Sequence, residues 1–223
     1  MGHDIYEKVT SFYNLLLTDK NHRYKSWEHC YSHFSGDDAS SNIDVSCLHL
    51  SFYLASWGMY RGSSFLLWKD YRIHRAVIEK LLGNKHFQNF EFSSIGNSDL
   101  GKIINLAQWI KNWYRENINT VNGETKSVNV TDTLVTKIML GTLGCIPAYD
   151  RYFIDGMRKS GIAYSKLTEA NLMAVSQYYK KNEAEFIRAK KSIQEKSGVN
   201  YPAMKLVDMY FWEIGFRARP LSK

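Results

Sequence analysis

The chain has 223 residues, 44% of them hydrophobic, which is enough to bury the core of one globular domain and excludes a disordered chain. No apolar run approaches the roughly 20 residues that a membrane helix needs, so we expect no membrane partner. The net charge of +7, with fifteen Tyr and six Trp, favours a polyanionic partner, because basic residues bind phosphates and aromatic rings stack on bases.

Apolar residues recur at helical spacing along most of the chain, which predicts an all-α single domain over residues 1–223. A division into two lobes, residues 1–97 with the C-terminal helices and residues 98–165, is compatible with the same pattern. The predicted helices cover residues 4–17, 24–34, 45–67, 69–82, 98–117, 131–143, 151–162, 168–191 and 203–216.

The apolar stretch of residues 45–67 predicts a central buried helix that bends at Gly58 and Gly62. Residues 35–42 and 119–129 are rich in polar and turn-forming residues and are predicted as loops, and residues 87–97 as irregular. Helix N-caps are predicted at Thr131 or Asp132 and at Thr168.

The N-terminus lacks a secretory signal, and three cysteines are too few for a disulfide scaffold, so we expect a cytoplasmic protein with free thiols. His29, Cys30 and His33 precede Cys47 and His49, a pattern that only partly matches zinc-ligand spacing. Ordinary core or surface roles are the preferred interpretation, and no metal site is expected.

The most informative segment runs from Thr131 to Ile162 and predicts a helix, a glycine-marked turn and a second helix. Gly144 suits a turn with positive φ, and Pro147 stiffens the backbone that follows. The second helix starts after Asp150, whose carboxylate can either cap that helix or carry out chemistry at its N-terminus.

This order of features resembles the core of the helix–hairpin–helix DNA glycosylase superfamily. Leu143-Gly144 corresponds to the family's turn, residues 148–151 to its aspartate element, and residues 159–162 to the end of its next helix. The resemblance implies a helix–hairpin–helix fold and a hydrolase that removes a damaged or modified base from DNA. It makes Asp150 the catalytic residue, because a carboxylate stabilises positive charge that develops on the sugar.

The chain departs from the family pattern before the first helix of this segment. Residues 128–133 replace the glycine-rich hairpin, and no lysine stands at its end, since Lys137 lies about one turn into the helix. No four-cysteine cluster is present. The resemblance therefore implies a monofunctional enzyme without an iron–sulfur cluster or other cofactor.

The base pocket is predicted to involve Trp57, Tyr60 and Arg61, which stand among small residues, together with Tyr149 beside the aspartate. In this interpretation the rings stack on a base and Arg61 binds a phosphate. The alternative is a helix kink in the core, with Arg61 paired to an acid such as Asp70.

Contacts with the DNA backbone are predicted for residues around the aspartate and for a basic segment further upstream, namely Thr131, Thr133, Lys137, Arg151, Lys69 and Arg72. For Lys69 and Arg72 the alternative is a solvated helix face. DNA is the expected partner, in base repair or in defence against phage with modified bases. The alternative function is that of a non-enzymatic helical nucleic-acid-binding or regulatory protein, in which Asp150 only caps a helix.

Overall fold

A computed structural model describes residues 3–89, 97–162 and 166–218, and within these ranges the chain is all-α apart from one small hairpin, as predicted. None of the helices in these ranges is both long and apolar enough to cross a lipid bilayer. The α-helices are α1 (His3–Leu17), α2 (Lys25–Ser35), α3 (Asp38–Ser41), α4 (Ile43–Ser56), α5 (Arg75–Leu82), α6 (Asn97–Asn117), α7 (Asp132–Thr142), α8 (Arg151–Lys159), α9 (Glu169–Lys181), α10 (Glu183–Ser197) and α11 (Ala203–Arg217). Short 3-10 helices cover Phe65–Trp68, Tyr71–His74 and Lys85–Asn89.

Several predicted helix ends are confirmed because local side chains set them. The side chain of Thr131 caps α7 by accepting a hydrogen bond from the Leu134 amide, and that of Thr168 caps α9 through the Asn171 amide. Gly144 adopts a φ of 63° in the turn after α7, as its position in the sequence predicted.

Several segments differ from the prediction, and the predicted 35–42 loop is one of them because it holds α3. The helix expected over 69–82 starts only at Arg75, since the preceding turn is a 3-10 helix in which the Asp70 side chain caps the Arg72 amide. The helix expected over 168–191 breaks at Asn182, whose side-chain amide donates to the Tyr178 carbonyl.

A further difference lies in the predicted 119–129 loop, which holds an antiparallel pair of strands, β1 (Thr120–Val121) and β2 (Glu124–Thr125). Asn122 and Gly123 both have positive φ, the conformation of a tight hairpin turn. Of the segment predicted as irregular, residues 90–96 lie outside the described residues.

The expectation that residues 45–67 form the central buried helix is wrong. Helix α4 ends at Ser56, and Val45, Leu48 and Phe52 are 36%, 50% and 65% exposed along one of its faces. The most buried helices are α7, which is buried from Leu134 to Thr142, and α11. An apolar run therefore identified a helix but did not identify which of its faces meets the core.

Helices α8 and α11 pack backbone against backbone through a glycine on each. A methyl group on Gly156 would overlap the carbonyl oxygen of Phe211, and one on Gly215 would overlap that of Tyr152. Small residues are needed at such a crossing because the two backbones have no room for a Cβ between them. This contact fixes α8, and the cleft described below, against the core.

We expect Gly156→Ala to lower the free energy of unfolding by about 3 kcal/mol, because the added methyl forces the two helix backbones apart. Urea denaturation measures the change. Gly101→Ala is the matched control, since Gly101 also lies in a helix but its nearest neighbour is the flexible Glu169 carboxylate, 3.3 Å from the added Cβ. The control variant should be as stable as the parent or more so, and equal losses in the two variants would contradict the packing argument.

A buried histidine just before α5 joins the turn after α4 to α6. His74 is fully buried, with the Tyr60 hydroxyl 2.9 Å from its Nε2 and the Tyr114 hydroxyl at its Nδ1. Burial lowers the pKa of His74 from 6.5 to about 3, because the imidazolium would lose its hydration. The ring is therefore a neutral hydrogen-bonding element of the core at physiological pH.

This histidine makes the fold sensitive to acid. Between about pH 6.5 and pH 3 the unfolded chain binds a proton that the folded chain does not, so stability falls as pH falls, by up to about 1.4 kcal/mol per pH unit. His74→Gln removes this titration, and its free energy of unfolding should depend less on pH over that range than that of the parent. Parallel pH profiles from urea melts would contradict the assignment.

Candidate active site

A cleft of about 460 Å³ opens where the N-terminus of α8 meets α7, α11, the turn after α4 and the loop before α2. Its lining combines one carboxylate, that of Asp150, with four basic side chains and four aromatic rings. The basic residues are Arg23, Arg61, Lys137 and Arg151, and the aromatic residues are Tyr24, Trp57, Tyr152 and Trp212. The cleft is thus cationic at its rim, aromatic in its walls and acidic at a single point.

Asp150 is both a helix cap and a cleft residue. One oxygen, Oδ1, accepts hydrogen bonds from the Tyr152 and Phe153 amides at 3.0 Å each. The other, Oδ2, accepts one from the Lys137 ammonium at 2.9 Å, and the side chain stays 15% exposed to the cleft. The cap weighed from sequence is confirmed on Oδ1, whereas Oδ2 pairs with Lys137 at the cleft, and a chemical role for the carboxylate stays a prediction.

Lys137 is placed against Asp150 although it lies one turn into α7. Its side chain is 3% exposed, and its ammonium is 4.9 Å from the ring centroid of Trp57. An ammonium buried to this extent requires a counterion, so the lysine and the aspartate depend on each other. Thr133, four residues earlier, also lines the cleft. This spacing places the two side chains on one face of α7, and it is the sequence signal that could have predicted the position of Lys137.

Side chains from two helices hold the backbone that leads into Asp150. Thr133 donates to the Tyr149 carbonyl at 2.8 Å, and the Tyr149 amide donates to Thr136 at 2.8 Å. From α11, Asp208 accepts a hydrogen bond from the Ala148 amide at 3.0 Å. The carboxylate therefore stands on a fixed segment, which is what preorganised electrostatic catalysis requires.

A second buried ion pair supports this segment and was missed by the sequence interpretation. Lys205 and Asp208 are 3% and 5% exposed and lie 2.9 Å apart, and the Lys205 ammonium also lies 5.3 Å from the Trp57 ring centroid. The sequence signal that could have predicted this pair is a lysine and an acid three residues apart on a largely apolar helix.

We expect Asp208→Ala to cost about 3–5 kcal/mol of stability, because it leaves a buried ammonium without a counterion and the Ala148 amide without its acceptor. Lys102→Ala is the control, since it breaks an ion pair of the same spacing, with Asp99, in which the lysine is 62% exposed. Denaturant melts should show a loss under about 1 kcal/mol for the control. A small loss in both variants would show that Asp208 does not support the loop.

Two of the predicted pocket residues line the cleft. Trp57 forms part of its wall, and its ring already stacks on Tyr24, with centroids 4.5 Å apart and planes at 19°. Arg61 lies at the rim, and its guanidinium makes no hydrogen bond or ion pair with any residue that the structure describes, so the alternative pairing with Asp70 does not occur.

Tyr60 and Tyr149, also predicted for the pocket, do not line it. The Tyr60 hydroxyl bonds to His74 and Ser51 in the core. Tyr149 is 1% exposed, its hydroxyl donates to Asn171, and burial raises the pKa of its phenol. The two tyrosines directly precede the cleft residues Arg61 and Asp150 in the sequence, but their side chains point elsewhere. The reason is that successive side chains leave a turn in different directions.

Of the residues predicted to contact the DNA backbone, some line the cleft and others do not. Thr133, Lys137 and Arg151 line the cleft, whereas Thr131 is occupied in capping α7. Lys69 donates to the Thr120 carbonyl at 2.6 Å, and Arg72 pairs with Asp44 at 3.4 Å, both outside the cleft. The upstream basic segment is therefore engaged within the protein.

Arg23 and Tyr24, in the loop before α2, were not expected at the site. The sequence signal that could have predicted them is the mixture of basic residues and aromatic rings in residues 20–25. Tyr152 and Trp212 also join the wall, and their rings lie 5.2 Å apart in an edge-to-face contact.

The histidine and cysteine pattern near α2 and α4 has a structural role. The His33 and His49 rings stack at 4.2 Å, and burial lowers the pKa of both. The three cysteines are free and buried. Within the described part of the chain, no three His, Cys, Asp or Glu side chains group so that they could hold a metal. No protein-family model, curated protein or solved structure matches the chain.

Proposed function

We propose that the protein hydrolyses the N-glycosidic bond of a damaged or modified base in DNA, with Asp150 as the catalytic carboxylate. The observation that carries this proposal is the position of Asp150, which is the single acid in a cleft lined mainly by cations and aromatic rings. A helix cap that served folding alone would not require such surroundings.

The reaction needs negative charge beside the sugar. As the C–N bond breaks, its electron pair leaves with the base and positive charge develops on the sugar, which a carboxylate stabilises. The same carboxylate can orient the water that adds to the sugar carbon. Oδ2 of Asp150 is the oxygen directed to this role, since Oδ1 is held by the two helix amides.

The dimensions of the cleft agree with a single nucleotide turned out of the helix stack. Ligand pockets commonly occupy about 300–1,000 Å³, and the cleft lies within that range at about 460 Å³. Enzymes that act on a base in DNA bring it into a pocket of this kind, with aromatic walls and contacts to the neighbouring backbone. A cytoplasmic role in base repair or in defence against phage with modified bases agrees with this chemistry.

The proposed enzyme is monofunctional. Lys137 lines the cleft, but its amine is held in a buried ion pair with Asp150. An amine in that state is not a free nucleophile, so we expect no Schiff base and an abasic site as product. Treatment with borohydride should therefore trap no protein–DNA adduct.

Asp150→Asn is the decisive variant. Asparagine caps helices as well as aspartate does, so the substitution removes the charge while retaining the cap. We expect base release to slow by about 100-fold or more, since losing one electrostatic contact in an active site commonly costs that much. The assay incubates DNAs that carry different modified bases with each protein and then cleaves abasic sites with alkali.

Two controls separate chemistry from folding. Asp132→Asn changes another acid at the start of a helix, ion-paired to Lys111 and outside the cleft, and should leave activity unchanged. The double variant Asp150→Asn with Lys137→Met removes the ammonium that the single variant leaves unpaired, and thermal melts of both check the fold. Equal activity of parent and Asp150→Asn would remove Asp150 from the mechanism.

A non-enzymatic nucleic-acid-binding or regulatory protein is the second candidate. The observation that favours it is that both Asp150 oxygens already have partners, as those of a purely structural residue would. DNA binding without base release from any substrate in the assay would support this second function.

A further inference from the structure

Three arginines on the rim of the cleft have no acidic partner. Within the described residues, Arg23, Arg61 and Arg151 form no ion pair with a carboxylate, and all three are exposed. Most other described arginines do have one, namely Arg72, Arg75, Arg158 and Arg217. Arg115 and Arg188 are the other described arginines without such a partner, and neither lines the cleft, so three unpaired guanidinium groups are gathered at this one opening.

Each of these arginines is held in place by groups that leave its charge intact. Arg23 donates to the Ser56 carbonyl at 3.2 Å, and its guanidinium lies 5.0 Å from the Tyr24 ring centroid. Arg151 donates to the Tyr152 hydroxyl at 3.1 Å, and its guanidinium lies 4.9 Å from the ring centroid of Tyr152. A guanidinium supported by a ring is oriented while its remaining donors stay available.

Arg61 is positioned by a glycine. Gly58 has a φ of 77°, and a Cβ on it would lie 2.8 Å from Nε of Arg61, so the guanidinium rests directly on the glycine. The turn after α4 thus needs a residue without a side chain at position 58 for two reasons, the backbone conformation and the space that Arg61 occupies.

The three arginines come from different parts of the chain and surround one carboxylate. They lie in the loop before α2, in the turn after α4 and at the first residue of α8, next to Asp150. Guanidinium groups bind phosphate oxygens through paired hydrogen bonds, and three of them around one opening match a strand that passes over it.

The segment that leads into α7 is poorly suited to binding phosphates. Thr131 is used as the helix cap, and the next residue, Asp132, places a negative charge there that pairs with Lys111 at 2.6 Å. An acid at this position would repel a phosphate rather than bind it.

We infer that Arg23, Arg61 and Arg151 bind the backbone phosphates on either side of the nucleotide that enters the cleft, in place of the segment before α7. The inference rests on the proposed function for the identity of the ligand, a DNA strand, but it does not depend on the proposed reaction. It assigns DNA binding to the rim of the cleft itself, so that the contacts which hold the strand also position the sugar near Asp150.

The experiment measures binding of unmodified single-stranded and duplex oligonucleotides by fluorescence anisotropy over a series of salt concentrations, in the Asp150→Asn background to prevent turnover. Each of Arg23→Gln, Arg61→Gln and Arg151→Gln should weaken binding and reduce the slope of log K against log salt by about 0.7 for single strands or 0.9 for duplex. In the triple variant the slope should fall by the sum of the three single reductions.

Arg188→Gln is the matched control. Arg188 is exposed, has no carboxylate partner among the described residues and lies against the ring of Tyr6, outside the cleft. The variant removes the same charge as the rim variants but at a position away from the cleft, so its slope should equal that of the parent. Equal slopes for the rim variants and this control would overturn the inference, and so would a parent that binds no DNA. Weaker binding by the rim variants together with no base release from any DNA would sustain the inference while rejecting the proposed reaction.

Discussion

The arrangement of the cleft depends on the contact between α8 and α11. Gly156 and Gly215 let the two helix backbones touch, so α8 cannot shift or rotate without separating from the core. Asp150 caps the first turn of α8, and Asp208 on α11 binds the backbone two residues before it. One packing contact thus fixes both the helix that carries the carboxylate and the loop that leads to it.

Charge is distributed according to solvent access. The two buried ammonium groups, Lys137 and Lys205, each pair with a carboxylate, because an ion removed from water needs compensation. The rim arginines can remain unpaired since water still hydrates them. The result is an inner layer that is electrically neutral and rigid, beneath an outer layer with net positive charge. Such a division suits a site that attracts a polyanion and then acts on one bond of it.

The features that sequence reasoning predicted well are those decided within one helical turn. The cap at Thr131 and the start of α8 after Asp150 follow from side chains that reach amides two or three residues away. Burial was harder to predict. The apolar α4 exposes one face, whereas α11 buries a lysine and two acids, because the surroundings of a helix decide which faces are covered.

The sequence by itself determined the helical class, most helix ends, the positive charge and the place of an acid at a helix N-terminus. All of these depend on residues close together in the chain. Only the tertiary structure decided that Lys137 meets Asp150, that Arg23 joins Arg61 at one rim, and that Tyr60 turns to the core instead. Those relations arise from packing between separate helices, where one glycine or one buried ion pair sets distances that no local pattern encodes.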